Sequence, residues 1–160
     1  EIIKKVEPDV IVVMGTSLIK DDIVNIPKLG ILNMHTGVSP YYRGGMTNFW
    51  PFIYDDLEYC GVTIHKLDAG IDSGDIIYQG LVHILEGDTY SLINCKAIVN
   101  GTDLMIKAIK DLRLNKLKSV KQEASGKLFF NIDYNGYYAY KYITTYKHVL
   151  NNFIENNDSW

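Results

Sequence analysis

The run Asp9-Val10-Ile11-Val12-Val13-Met14 holds four consecutive β-branched residues, and it lies between Pro8 and the turn Gly15-Thr16-Ser17. Such a run suits a strand buried on both faces of a parallel sheet. A short helix around Ile19, Ile23 and Val24 follows, stopped by Pro27, and Gly30-Ile31-Leu32-Asn33-Met34-His35 forms a second strand. Strand, helix and strand in this order make a βαβ unit, for which a right-handed crossover is expected. The fold class that follows is α/β, built on a mostly parallel sheet.

The pattern continues down the chain. Residues 46–57 read as a helix, with Pro51 tolerable only near the first turn. Residues 61–67 alternate with period two, predicting a strand with one buried face, and residues 76–84 predict another. Asp88 is the expected cap of a long helix whose apolar stripe runs Leu92, Ile93, Ala97, Ile98, Gly101, Leu104, Met105, Ala108, Ile109 and Leu112. Residues 127–132 predict a strand, and a closing helix carries Tyr146, Val149, Leu150, Phe153 and Ile154 on one face. Two parts are expected: residues 1–112 as the main domain, and 113–160 as a strand-and-helix extension packed on it. The chain does not start with Met, and Glu1–Val6 reads as the last turns of a helix, so a fragment of a longer protein is expected.

Bulk properties exclude several classes. With 160 residues, 47% hydrophobic and 22% charged, the chain can bury a real core and is not a disordered segment. A formal charge of −3 gives no global attraction to nucleic acid or anionic lipid. No apolar run reaches the roughly 20 residues of a membrane helix, and no signal peptide opens the chain. Cys60 and Cys95 have no metal or redox spacing, which fits two reduced thiols and a cytoplasmic protein.

Asn33 and His35 are two residues apart on a predicted strand and therefore share a face. A Gly- and Pro-containing loop, Thr36-Gly37-Val38-Ser39-Pro40-Tyr41-Tyr42-Arg43-Gly44-Gly45, leaves that strand where open α/β sheets bind ligands. Asp68-Ala69-Gly70-Ile71-Asp72-Ser73-Gly74-Asp75 lies between two later strands and could complete an Asn, His, Asp set. Each piece alone also has a plain structural reading: a satisfied histidine, a turn. The acidic spacing is wrong for an EF-hand, and His35, His65 and His83 lack metal-ligand spacing, so no metal is expected.

Asn-x-His, the Pro-Tyr-Tyr-Arg-Gly loop, and Gly-Val-Thr-Ile-His leading to Asp-x-Gly-x-Asp-x-Gly-Asp-Ile-Ile occur in one order. That order resembles the formyltetrahydrofolate-dependent formyltransferases, whose members act on methionyl-tRNA, glycinamide ribonucleotide and amino sugars, or hydrolyse the donor. The resemblance runs from about Pro8 to Leu112 and is strongest over residues 30–45 and 60–79. It implies a three-layer Rossmann-like fold whose opening strand–helix units are absent from this chain. It also implies Asn33, His35 and Asp72 as catalytic residues. The co-substrate N10-formyltetrahydrofolate would be held by Met14, Gly15, Ser17, Leu18, Ile19, Asp68, Ala69, Gly70 and Ile71. The acceptor would meet Pro40, Arg43 and Gly44. Thr36-Gly37 departs from the Pro-Ser or Gly-Ser that many members carry after the His, which weakens assignment to a subfamily.

The chemistry explains these residue types. Formyl transfer to an amine places negative charge on the formyl oxygen, which an Asn33 N–H and a protonated His35 can stabilise; one such donor is typically worth ~3–4 kcal/mol. Asp72 would favour the imidazolium and help relay the proton leaving the amine. Gly70 and Gly74 would let the loop approach the pterin, although turn geometry explains them equally. The region after Leu112 is too short for the extra barrel domain of methionyl-tRNA formyltransferases. A small-molecule amine is therefore the expected acceptor and a nucleotide-linked amino sugar the favoured one, with nucleic acid and membrane disfavoured. Tyr134, Tyr137, Tyr138, Tyr140, Tyr142 and Tyr146 could stack on a base or sugar; packing against the sheet or a homodimer partner is the stronger reading. A formyltetrahydrofolate hydrolase, a methionyl-tRNA formyltransferase-like enzyme and an inactive folate-binding fragment are the rivals.

Overall fold

The computed structural model describes residues 2–123 and 126–157, so Glu1 of the opening helix lies outside the described residues. α1 (Ile2–Val6) ends before Pro8, and β1 (Ile11–Met14) follows. After α2 (Asp21–Val24), β2 (Ile31–His35) pairs parallel with β1. These elements make the expected βα-β unit.

The rest of the main sheet differs from the expectation. β4 (Gly61–Lys66) pairs antiparallel with β2, and β5 (Ile76–Leu81) pairs antiparallel with β4, giving the order β1-β2-β4-β5. The sheet is mixed rather than mostly parallel. A single loop joins β4 to β5, and so short a connection can only return the chain beside its neighbour in the opposite sense; a parallel neighbour needs a crossover.

Burial also follows position more than local pattern. β1 alternates half-buried and exposed residues, with Val12 and Met14 both 44% exposed, because it is the edge strand of this sheet. β4, expected to bury one face, is buried from Gly61 to His65, since it is flanked by β2 and β5. Its polar positions are tolerated inside because they are hydrogen-bonded: the Thr63 hydroxyl donates to Gly37 O and accepts from Ser39 N.

The long helix α4 (Tyr90–Arg113) covers the sheet through Ile93, Ala97, Gly101, Met105 and Ala108. Ala97, Met105 and Ala108 share a core with Leu32, Met34, Val62, Ile64 and Ile77. Leu92 and Ile109, placed in the buried stripe by sequence, are exposed at the stripe's margin. The cap is Thr89, whose hydroxyl accepts from Leu92 N, not Asp88. Asp88 instead accepts from Leu85 N and pairs with Lys96 at 2.6 Å.

A second, two-stranded sheet joins β3 (Tyr42–Gly44) in parallel to β6 (Lys127–Phe129). β6 stops at Phe129 and a 3₁₀ turn over Asn131–Asp133 takes the place of the predicted strand end. The helix expected over 46–57 is shorter: α3 (Trp50–Tyr54) carries Pro51 in its first turn and ends where Asp55 turns left-handed. α5 (Gly136–Asn157) lies against α3, with Val149 and Leu150 buried among Phe52, Leu57, Cys60, Ile84 and Ile93. Phe129 stacks on Trp50 at 4.3 Å between ring centres. Tyr134 and Tyr142 pack on Phe49, Tyr138 on Trp50, and Tyr146 on Tyr142, whereas Tyr137 and Tyr140 are exposed.

Candidate active site

A cleft of about 580 Å³ opens at the C-terminal ends of β1 and β2. Met14–Ile19 line one side, Asn33–Thr36 the floor, and Leu67–Asp72 the other side. All nine residues assigned to the folate pocket from sequence lie in this lining, and Gly44 joins them. Pro40 and Arg43, assigned to the acceptor, do not line the cleft. β3 is held in the second sheet by β6, and Gly44, Gly45 and Met46 at its end line the cleft while Arg43 does not. Gly74 is likewise not in the lining: an added Cβ would meet Lys66 O at 1.8 Å, so it serves close approach to β4 rather than to a ligand.

Asp72 is the hub. Its Oδ2 lies 3.3 Å from His35 Nδ1 and accepts from Gly44 N at 2.9 Å. Its Oδ1 accepts from Asn33 Nδ2 at 3.2 Å and lies 3.4 Å from His65 Nε2. The three residues expected together from sequence are together, with Asp72 held at a φ of 48°, a left-handed conformation uncommon outside glycine.

His65, which the predicted set lacks, joins them. The antiparallel register of β2 and β4 puts it directly opposite Asn33. Its Nδ1 must donate to Lys66 O, 2.7 Å away, because a carbonyl can only accept; in the neutral ring Nε2 then accepts from Asn33 Nδ2 at 3.0 Å. Both amide protons of Asn33 are thus directed at Asp72 and His65. The sequence signal was a histidine at a buried position of an alternating strand just before the Asp loop. Phe129, Phe130 and Asn131 also line the cleft, and nothing local in the sequence marks them.

The protonation states differ from the expectation. Burial pushes the His35 pKa below 6.5, outweighing Asp72 and the Tyr42 carbonyl, which raise it; the charges of His65 and Arg43 push the same way as burial. His35 is therefore chiefly neutral at pH 7, not an imidazolium. Its Nε2 donates to Tyr42 O at 2.9 Å, so the Nδ1 lone pair faces the Asp72 carboxylate. For Asp72, burial works against the charge, but His65, His35 and the Gly44 N–H outweigh it and hold the carboxyl below its usual range. A carboxylate beside a neutral imidazole lone pair is a ready acceptor for one proton.

A cleft at the C-terminal ends of strands of an α/β sheet, with an Asn, His, Asp cluster in its lining, has the form of a ligand-binding site. The formyl transferase family model matches residues 1–109, and the chain belongs to that family. It is 34% identical over 126 residues to the methionyl-tRNA formyltransferase of Caldicellulosiruptor saccharolyticus, covering 78% of this chain and 40% of that protein. The formyltransferase PseJ from Anoxybacillus kamchatkensis, solved with UDP-4,6-dideoxy-4-formamido-L-AltNAc and tetrahydrofolate, superposes with a TM-score of 0.69 at 31% identity, covering 78% of this chain and 66% of that one. The N-formyltransferase from Helicobacter canadensis, solved with folinic acid and dTDP-3-aminofucose, gives 0.65 at 31% identity, covering 74% and 44%. The chain thus spans about 40% of the length of the first of these relatives.

Proposed function

We propose that this chain carries the reaction centre of an enzyme transferring a formyl group from N10-formyltetrahydrofolate to a primary amine of a small acceptor, a nucleotide-linked amino sugar. The observation that carries the reading is the convergence of Asn33, His35 and His65 on the Asp72 carboxylate at one end of the cleft. Support for the acceptor class comes from the two sugar-nucleotide enzymes it resembles at 31% identity.

The cleft suits the donor. Leu18, Ile19 and Ile71 offer apolar surface for a flat heterocycle, and Gly15 offers backbone with open space where a Cβ would stand. Met14, Gly15, Ser17, Leu18 and Ile19 would hold it from one side, with Asp68, Ala69, Gly70 and Ile71 opposite. The bound donor supplies an activated one-carbon acyl group. The chain's own task is to orient the amine, stabilise charge on the formyl oxygen and move one proton. Asn33 would perform the second task by turning an amide proton from Asp72 or His65 toward that oxygen. The Asp72–His35 pair takes the proton the amine loses as its N–C bond forms, and returns it to the departing folate nitrogen.

Purified chain, extended upstream where the reading frame allows, is assayed for formyl transfer to nucleotide-linked amino sugars, glycinamide ribonucleotide and methionyl-tRNA, with formate release as the hydrolase control. Turnover of the amino sugars alone is the expected result. Activity confined to tRNA, or formate release without acceptor, would displace the acceptor assignment.

A further inference from the structure

Among the described residues that follow α4, Gln122 reaches the backbone of the Asp72 loop. Gln122 Nε2 donates to Asp72 O at 3.1 Å and to Gly74 O at 2.6 Å, so both amide protons bridge the two carbonyls flanking Ser73. Its Oε1 is buried without a hydrogen-bond partner among the described residues. An amide that leaves its acceptor unsatisfied to deliver both donors has its orientation fixed, because a flip would set oxygen against two carbonyl oxygens. Next to it, Val120 and Ile76 exchange both backbone hydrogen bonds at 2.8 Å, and Ser119 Oγ donates to Asp75 Oδ2 at 3.2 Å. The whole brace lies beyond residue 109, where the family match ends.

What it braces is the left-handed backbone of Asp72, a conformation that costs energy for a residue with a Cβ and persists only when surroundings over-determine it. The Asp72 side chain faces His35 from β2, His65 from β4 and the Gly44 N–H from β3. We propose that Gln122 is a positioning residue that fixes the Asp72 carboxylate against His35 by clamping the carbonyls on either side of Ser73. This inference rests on the formyl-transfer reading for its kinetic arm but not for its spectroscopic one.

The test uses Gln122→Met, which keeps the volume and removes the donors, and Gln122→Glu, which keeps the shape and turns donors into acceptors. Both are expected to lower kcat by ~10–100-fold, the usual cost of a group displaced by about 1 Å, with KM for donor and acceptor within about threefold of wild type. In parallel, NMR titration of the His35 imidazole is expected to move down by about half a unit or more in each variant, as the carboxylate that favours its charge moves away. A wild-type His35 titration in both folded variants overturns the proposal, even if their melting temperatures fall. Should wild type itself transfer no formyl group, the functional reading fails while the His35 titration still decides the role of Gln122.

Discussion

His35 Nδ1 lies 3.3 Å from Asp72 Oδ2 while the opposite ring nitrogen is already committed to the Tyr42 carbonyl at 2.9 Å. The pair is therefore short of one proton at neutral pH, and burial keeps it so. If this proton-accepting form is the active one, kcat falls as pH drops below 6.5, with its inflection below that value. Rate–pH profiles at saturating substrates check this; an inflection above 7 contradicts it. Asp72→Asn is expected to lower kcat by ~10²–10³-fold, the scale of losing a preorganised electrostatic group.

The same shift has a consequence for stability. A His whose folded pKa lies below 6.5 refuses a proton that the unfolded chain accepts, so stability is lost as pH falls below 6.5. Asp72, lowered from 3.8, contributes stability that is present above that value and lost below it. Thermal melts from pH 7 to pH 5 are expected to show a decline in melting temperature that is shallower in His35→Gln.

His65→Phe keeps an aromatic ring opposite Asn33 and removes its acceptor. One Asn33 amide proton and the Lys66 carbonyl then lose partners, which is expected to cost ~1–3 kcal/mol in urea unfolding. Freed to swing, Asn33 leaves Asp72 less well held, and kcat is expected to fall by at least ~10-fold.

Gly44→Ala tests the pairing of the two strands of the second sheet. Gly44 has φ +88° and an added Cβ would meet Phe129 O at 2.0 Å, so the β3–β6 pairing must open. A loss of ~2–3 kcal/mol is expected from strain of this kind, together with loss of the N–H on Asp72. Gly15→Ala, at φ +60° with open space around it, is expected to lose only ~1 kcal/mol. Equal losses in the two variants would mean the clash with Phe129 is relieved elsewhere.

Much of the site was legible because it is local. Asn33 and His35 share a face by the period-two geometry of a strand, and the Asp72 loop is marked by its glycines and acids. The long helix and the closing helix were marked by their apolar spacing, which needs no partner to be read. The local pattern misleads where a neighbour decides. Asp88 could cap a helix but is drawn to Lys96, and Leu92 and Ile109 fit the stripe but fall outside the contact.

By itself, then, the sequence determined which side chains could act and on which strand and loop they stand. The tertiary structure decided what they meet. His65 reaches Asn33 only through antiparallel register, and Gly44, Gln122 and Phe129 arrive across 28 to 50 or more residues of chain. It decided the charge of His35 as well, because desolvation belongs to the packed surroundings and to no single residue. Periodicity reports one face of one element; pairing, burial and protonation depend on what the rest of the chain places against that face.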